Sequence, residues 1–289
     1  MADFSVDYSL HTHTLGFDGR NTVEEMVLAA RSRGIKTLGF SNHFILHPAV
    51  KKSPMYKYAE RGGYSVIYSD NLDDLIARFS AHYATVRNLR EKYSDMRLLC
   101  GMEMDWFKYA DWGDMIGYAV RKLKPDYIIG AMHFIDRGEH GILNVHDIEK
   151  AGCIDSRRLL REYYQNIGEM CEYNWRGVGF DFNFFAHFDL PRKLGLRAPD
   201  MEKYAIQTLV QHGFTIELNS SLMMGARYDN VRESLHNIAC ANAPVVFSDD
   251  THGANQIGYK TNDLAYLAHD AGVRRICMRA MDLDKFIGR

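Results

Sequence analysis

Residues Val6 to Phe40 read VDYSLHTHTLGFDGRNTVEEMVLAARSRGIKTLGF, and the change of period along this stretch decides the fold. Val6 to Leu10 reads as a first strand. Asn21-Thr22-Val23-Glu24-Glu25 is a capped helix start, with its acidic residues in the first turn, where the helix dipole favours them. That helix runs to about Arg33, Gly34 ends it, and Ile35 to Phe40 is a second strand.

The same alternation continues outward from this unit, after one interruption. Phe44 to about Asp70, rich in Pro, Tyr, Lys and Gly, reads as a long irregular excursion of the kind that often serves as a binding loop. Asp70 to Tyr93 is then a long amphipathic helix. Strands are expected at Arg97–Gly101, Asp126–Ala131, Asn183–Ala186, Phe214–Leu218, Val245–Phe247 and Arg274–Met278. Helices are expected at Gly113–Leu123, Ser156–Tyr173, Pro199–His212, Val231–Ala241 and Ile257–Ala271. No linker, repeat or low-complexity tract divides the run. Seven or eight β/α units in uninterrupted order predict one α/β barrel over residues 1–289, with a loop-plus-helix insertion at about 44–93.

Composition narrows the function classes. The net charge of −2 and the scattering of 35 Lys and Arg lack the basic footprint of a nucleic-acid binder. No stretch approaches the ~18 apolar residues of a membrane span, and Met1 to Tyr8 has no secretory pattern. The five cysteines are isolated, with no Cys-x-x-Cys pair, which argues against both a disulfide framework and a thiolate zinc site. Reduced thiols in the cytoplasm are the expectation.

The positions of the histidines carry more than their number. His11 and His13 follow the first strand as His-Thr-His, a spacing that puts both imidazoles on one strand face. His43 closes the second strand, Glu103 follows the third, His133 ends the fourth and His187 the fifth. Asp250 and His252 follow the seventh, again two apart. A lone histidine at a strand end is more often a hydrogen-bonded structural residue than a ligand. A whole series of His or carboxylate residues at the C-terminal strand ends, which converge on one rim of a barrel, points instead to a metal centre. His82, His212, His236 and His269 fall within or at the ends of helices and read as surface or packing residues. Of His47, His140 and His146, in loops, only His47 reads as near enough to reach the site.

His11-Thr-His13, Asp18-Gly19, His43, Glu103, His133, His187 and Asp250-Thr-His252 together resemble the motif series of the PHP (polymerase and histidinol phosphatase) family, in the family's order. The resemblance implies a distorted (β/α)7 barrel with its active site at the C-terminal ends of the strands. Ile128 to Asp136 and His187 to Lys193 look most like the stand-alone histidinol-phosphate phosphatases. Two departures touch the surroundings of the ligands: Phe247-Ser-Asp-Asp-Thr-His252 where the family often has Gly-Ser-Asp-Ala-His, and Ser41-Asn42 before His43 where an acidic residue is common.

The resemblance implies three divalent ions. His11, His13, Glu103 and Asp250 would hold the first, Glu103, His133 and His187 the second, and Asp18, His43 and His252 the third. Glu103, His133, Asp250 and His252 would also carry the catalysis. Imidazole and carboxylate ligands without thiolate suit Zn, Mn or Fe(II). The expected reaction is hydrolysis of a small phosphorylated substrate, L-histidinol phosphate above all, with another phosphomonoester, a phosphodiester or an amide as the alternative bond. A phosphate also needs cationic donors. Arg192, Arg227 and Arg20 are the candidates, and each reads equally well as a solvated surface arginine. Tyr56, Tyr58, Arg61 and Tyr64 in the long excursion suit a polar organic leaving group, or simply surface packing.

Overall fold

The computed structural model describes residues 4–150 and 155–288. Seven strands form its central sheet: β1 (Tyr8–Ser9), β2 (Thr37–Phe40), β3 (Arg97–Asp105), β4 (Tyr127–Ala131), β5 (Phe184–Phe185), β6 (Ile216–Asn219) and β7 (Val245–Ser248). They lie side by side in chain order, and every pairing along that path is parallel. A helix follows each strand in turn: Val23–Ser32, Leu72–Lys92, Trp112–Leu123, Ser156–Glu172, Pro199–Gln211, Val231–Cys240 and Thr261–Asp270. This is the expected (β/α)7 arrangement, a parallel sheet nearly closed on itself.

Local chemistry sets the elements. The first helix starts at Thr22 with a full capping box: the Thr22 side chain accepts from the Glu25 backbone N–H, and the Glu25 carboxylate accepts from the Thr22 N–H. Gly34 follows it in the left-handed region, at φ 76°. The nine residues of β3 make it the longest strand, and its inner face presents Leu99, Gly101, Glu103 and Asp105 in turn.

Closure of the ring is where the sheet departs from regularity. Among the described residues, β7 and β1 pair at the rim only through Thr12 with Thr251, by His13 N to Thr251 O (2.9 Å) and Thr251 N to His11 O (3.1 Å). Lower in the seam the Tyr8 hydroxyl donates to Cys277 O and accepts from Phe247 N, both at 2.9 Å. Arg274–Met278, expected as a strand, makes a single bridge, Ile276 with Val245. The Tyr8 side chain takes the ladder positions that a full strand there would need.

The segment expected to be irregular is ordered. Ser41 and Asn42 break β2, after which His43–Leu46 runs parallel beside the upper half of β3, His43 opposite Glu103. His43 therefore opens a short strand of its own and does not close β2. Tyr68–Ser69 pairs with the outer side of that strand. Between them lies the helix Pro54–Gly62, capped by the Ser53 hydroxyl, with Pro54 in its first turn and Gly63 left-handed beyond its end. Helix Leu72–Lys92 occupies the second unit's regular position, so residues 43–69 are what is added to the barrel.

Inside the barrel one large residue fits against two absent side chains. A Cβ on Gly39 would lie 2.2 Å from the Tyr127 hydroxyl oxygen, and one on Gly101 would lie 2.2 Å from the ring carbon bearing it. The Tyr127 hydroxyl donates to Leu10 O, tying β4 to the end of β1 across the interior. Gly101→Ala is expected to destabilise the fold by about 1–3 kcal/mol, the range for overpacking a core. A lower urea midpoint with an unchanged slope would show it.

Candidate metal centre

Each candidate ligand is delivered by a strand end or by the loop just after it. His11 and His13 leave β1, and Glu103 sits within β3. His133 and His187 each stand two residues beyond their strands, β4 and β5, and Asp250 and His252 follow β7. Asp18 arrives from the loop after β1, which folds back sharply: Gly19 N donates to Thr14 O at 3.2 Å. A Cβ on Gly19 would lie 2.4 Å from the His13 backbone, so only glycine lets the Asp18 carboxylate come this close.

All nine residues meet. Glu103, fully buried, is the hub: its Oε2 lies 2.8 Å from His43 Nδ1, 3.2 Å from His11 Nε2 and 3.6 Å from His13 Nε2. Its Oε1 lies 2.8 Å from His187 Nε2 and 3.4 Å from His133 Nε2. Asp250 Oδ1 is 3.2 Å from His13 Nε2 and 3.5 Å from His11 Nε2. Asp18 reaches His13, His43 and His252 at 3.1–3.3 Å. Four overlapping sets each bring ligand atoms within 4.8 Å of one another: His13, Asp18, His43 and His252; His11, His13 and Asp250; His11, Glu103 and His187; His43, Glu103 and His133.

The residues fit a group of cations. His11 Nε2, both ring nitrogens of His13, His43 Nδ1, Asp18 Oδ1 and Glu103 Oε2 are buried without a hydrogen-bond partner. Orphaned polar atoms on this scale are rare unless something else binds them. The electrostatics agree. Burial alone would raise the Glu103 carboxyl, but the imidazoles of His11, His43 and His133 outweigh it and hold it well below the usual carboxylate range. Burial likewise opposes charge on His11 and His43, yet Glu103 with Glu217 or Asp18 raises both well above the ordinary histidine value. The carboxylates thus create a field that calls for positive charge, from protons or metal ions alike.

Two further carboxylates aim the imidazoles. His11 Nδ1 donates to Glu217 Oε1 at 2.6 Å, and Glu217 also accepts from Ser248 Oγ (2.6 Å) and from the His187 backbone N–H (3.0 Å). His133 Nδ1 donates to Asp105 Oδ2 at 2.8 Å. Each bond leaves Nε2 free to face the cluster, as in the carboxylate–histidine pairs of metal sites. Sequence reasoning passed over both carboxylates. The available signal was a charged residue inside an apolar strand, two positions from another polar one: Glu103-Met-Asp105 and Glu217-Leu-Asn219.

Residues 7–221 match the PHP domain family, three quarters of the chain. The chain belongs to the PHP family. Its cluster is accordingly that of a metal-dependent hydrolase of PHP type. The fold is similar to the crystal structure of histidinol phosphate phosphatase from Lactococcus lactis subsp. lactis Il1403, complexed with zinc, L-histidinol and phosphate. The identity is 15%, the TM-score 0.69, and the likeness covers 93% of this chain and 94% of that one. A Listeria monocytogenes protein assigned as a histidinol phosphatase is similar at 18% identity and TM-score 0.67, over 87% of this chain and 97% of that one. No curated protein sequence matches the chain.

The PHP centre opens on a cavity of two lobes that meet over His187, Leu190, Lys193, Asp250 and His252. One lobe, of about 270 Å³, is walled by Ile45, Met55, Tyr64, Ile67 and Tyr68, and Asn144 and His146 line it as well. Of the four side chains expected from the excursion, Tyr64 lines it, and the other three do not. The second lobe, about 440 Å³, is lined by Arg20, Arg192, Lys193 and Arg227. Arg20 and Arg227 are exposed there, whereas Arg192 is buried and its guanidinium is engaged by Glu202, Asp229 and Ser234. His47 packs on Phe107 and Tyr109, outside the four ligand sets, while His146, read only as a loop residue, reaches the cavity.

His82, read as surface or packing, is buried and supports the site from behind. Its Nε2 accepts from Asn42 Nδ2 at 3.1 Å, and Asn42 Oδ1 accepts from Thr14 N at 2.8 Å, linking the loops that carry His13 and His43. Burial pushes its imidazole down to about 4. An unfolded chain takes up a proton there near pH 6.5, and the folded protein does not. Stability is therefore full above that pH and falls as pH drops toward 4. The urea midpoint of the wild type is expected to fall more steeply between pH 6.5 and 4.5 than that of His82→Gln; equal slopes would contradict a neutral buried His82. Removing bound metal with a chelator is expected to lower the melting temperature, and metal add-back to restore it, measured by differential scanning fluorimetry.

Proposed function

We propose that this PHP protein is a phosphomonoesterase whose leading substrate is L-histidinol phosphate. The observation that carries the phosphatase reading is the junction of the two lobes over the ligand cluster, one lobe cationic and the other aromatic and apolar. A phosphomonoester has that same division: a dianionic phosphoryl group and an organic alcohol. The histidinol reading is supported by the likeness to a phosphatase structure that holds L-histidinol and phosphate.

Divalent ions held by His11, His13, Asp18, His43, Glu103, His133, His187, Asp250 and His252, three in number by the family resemblance, would acidify water and offset the charge of the phosphoryl oxygens. Zn, Mn or Fe(II) suits these ligands. The chain's own residues do the rest. His133, Asp250 and His252, which line the cavity, form the floor against which the phosphoryl group is held, and Glu103 lies buried beneath them, holding the ions and imidazoles that face it. Arg227 and Arg20 supply forked donors for its oxygens, and Lys193, at the junction of the lobes, adds a point charge. Tyr64, Tyr68, Met55 and Ile67 enclose the leaving group and exclude water from it. A planar, partly polar ring such as imidazole fits such walls, with Asn144 and His146 as its hydrogen-bonding partners. We place the enzyme in the cytoplasm, in keeping with free thiols at Cys100, Cys171, Cys240 and Cys277.

The deciding experiment is phosphate release from a panel of small phosphomonoesters that includes L-histidinol phosphate, before chelation, after it, and after add-back of Zn, Mn or Fe(II). A preference for L-histidinol phosphate of tenfold or more, abolished by chelation, is the expected result. No release from any monoester by metal-loaded enzyme would reject the phosphatase reading and turn attention to diesters and amides. Arg227→Gln is expected to raise KM for the preferred ester about tenfold, the scale of one lost charge-assisted hydrogen bond.

A further inference from the structure

Among the described residues, six non-glycine residues have positive φ, and two of them are candidate ligands: His187 at φ 26° and Asp250 at φ 46°. The other four, Lys124, Asn230, Asn242 and Lys260, stand at helix ends. A left-handed residue with a full side chain persists only where its surroundings impose it. At Asp250 the imposition comes from the barrel seam, through the Thr12–Thr251 bridge beside it. His187 has no such seam, since β5 ends two residues earlier.

The His187 backbone N–H is held by the Glu217 carboxylate at 3.0 Å, and the rest of its support is built from the turn that follows it. Leu190 N donates to His187 O at 2.8 Å, and Arg192 N donates to Asp189 O at 2.9 Å. The Asp189 carboxylate, buried, accepts from the Tyr228 hydroxyl. Tyr228 also meets Ser234 Oγ at 2.9 Å, and its ring lies under the Arg192 guanidinium, 4.6 Å from the centroid. Arg192 in turn binds both Glu202 oxygens at 3.1 Å through Nε and Asp229 O at 2.8 Å through Nη1. The turn is thereby fixed to the helices Pro199–Gln211 and Val231–Cys240 through the bonds of Arg192 to Glu202 and Ser234 and of Tyr228 to Ser234.

We infer that Asp189, Tyr228 and Arg192 form a clamp that imposes the left-handed backbone of His187 and so aims its Nε2 at Glu103; they are positioning residues, and Arg192 is not a phosphate ligand. The clamp rests on the metal-centre reading and is independent of which ester is hydrolysed. It also joins two functions, because the loop holding Tyr228 carries Arg227 into the cationic lobe on one side and Asp229 to Arg192 on the other.

Tyr228→Phe removes the hydroxyl and keeps the ring beneath Arg192. Titration of the apoprotein with Zn or Mn against a competing chelator is expected to show about tenfold weaker binding of one ion, in the range for lost support of a metal-ligating histidine. Activity at limiting metal falls with KM unchanged and recovers in excess metal. Asp189→Asn, which keeps an acceptor for the hydroxyl, loses less than Asp189→Ala. In a His187→Ala background the Tyr228→Phe change has no further effect on metal affinity, because the ligand it positions is gone. Metal titrations of Tyr228→Phe and Asp189→Ala that superimpose on the wild type overturn the clamp, whatever happens to the melting temperature. A wild-type protein that binds no ion at the cluster overturns the metal centre itself.

Discussion

A carboxylate buried beneath five imidazoles is the constraint on which the upper half of this protein depends. Glu103 is fully inaccessible and touches His11, His13, His43, His133 and His187. An isolated charge in that position would cost several kcal/mol in lost hydration. It is tolerable only when positive charge surrounds it, so every ligand-bearing loop must reach the same point. The nine-residue length of β3 follows from the same requirement, since the strand must carry Glu103 and Asp105 past the end of β2.

The surrounding structure reads as a set of devices for meeting that requirement. Glu217 and Asp105 fix which nitrogen of His11 and His133 faces inward. Gly19 lets Asp18 turn back over the His13 backbone. The break at Ser41-Asn42 interrupts the ladder, and the chain resumes against β3 in the same register, so that His43 stands opposite Glu103. Asn42, found where an acidic residue is common in the family, serves this break: it bonds Thr14 on one side and His82 on the other. A carboxylate there would add negative charge beside a neutral, buried imidazole, and the amide avoids this.

Polar support continues outward in the same style. Arg192 fell at the right place in sequence for a phosphate contact, directly after the His187 strand. Its five-donor guanidinium is instead consumed by Glu202, Asp229 and Ser234, and its face by Tyr228. The cations left facing the cavity are Lys193, its neighbour, and Arg227 and Arg20 on loops from other units.

By itself the sequence determined the β/α alternation, the barrel class and which His and carboxylate residues cluster at the strand ends. These depend on period, caps and residue type at strand ends, which are local quantities. Thr22 with Glu25, Gly34, and the His-x-His spacing are each legible without knowing what lies across the barrel. Tertiary structure alone decided which polar residues serve the ligands and which serve the fold. Glu217, Asp105 and His82 gained their roles from partners 28 to 206 residues away, and the Arg192 guanidinium is engaged in the same way by Asp229 and Ser234. The residues 43–69, too, became ordered only because β3 offers an open upper edge for His43–Leu46 to join. Pairing across such distances depends on where the closed sheet brings its loops, and no local pattern of polarity encodes that.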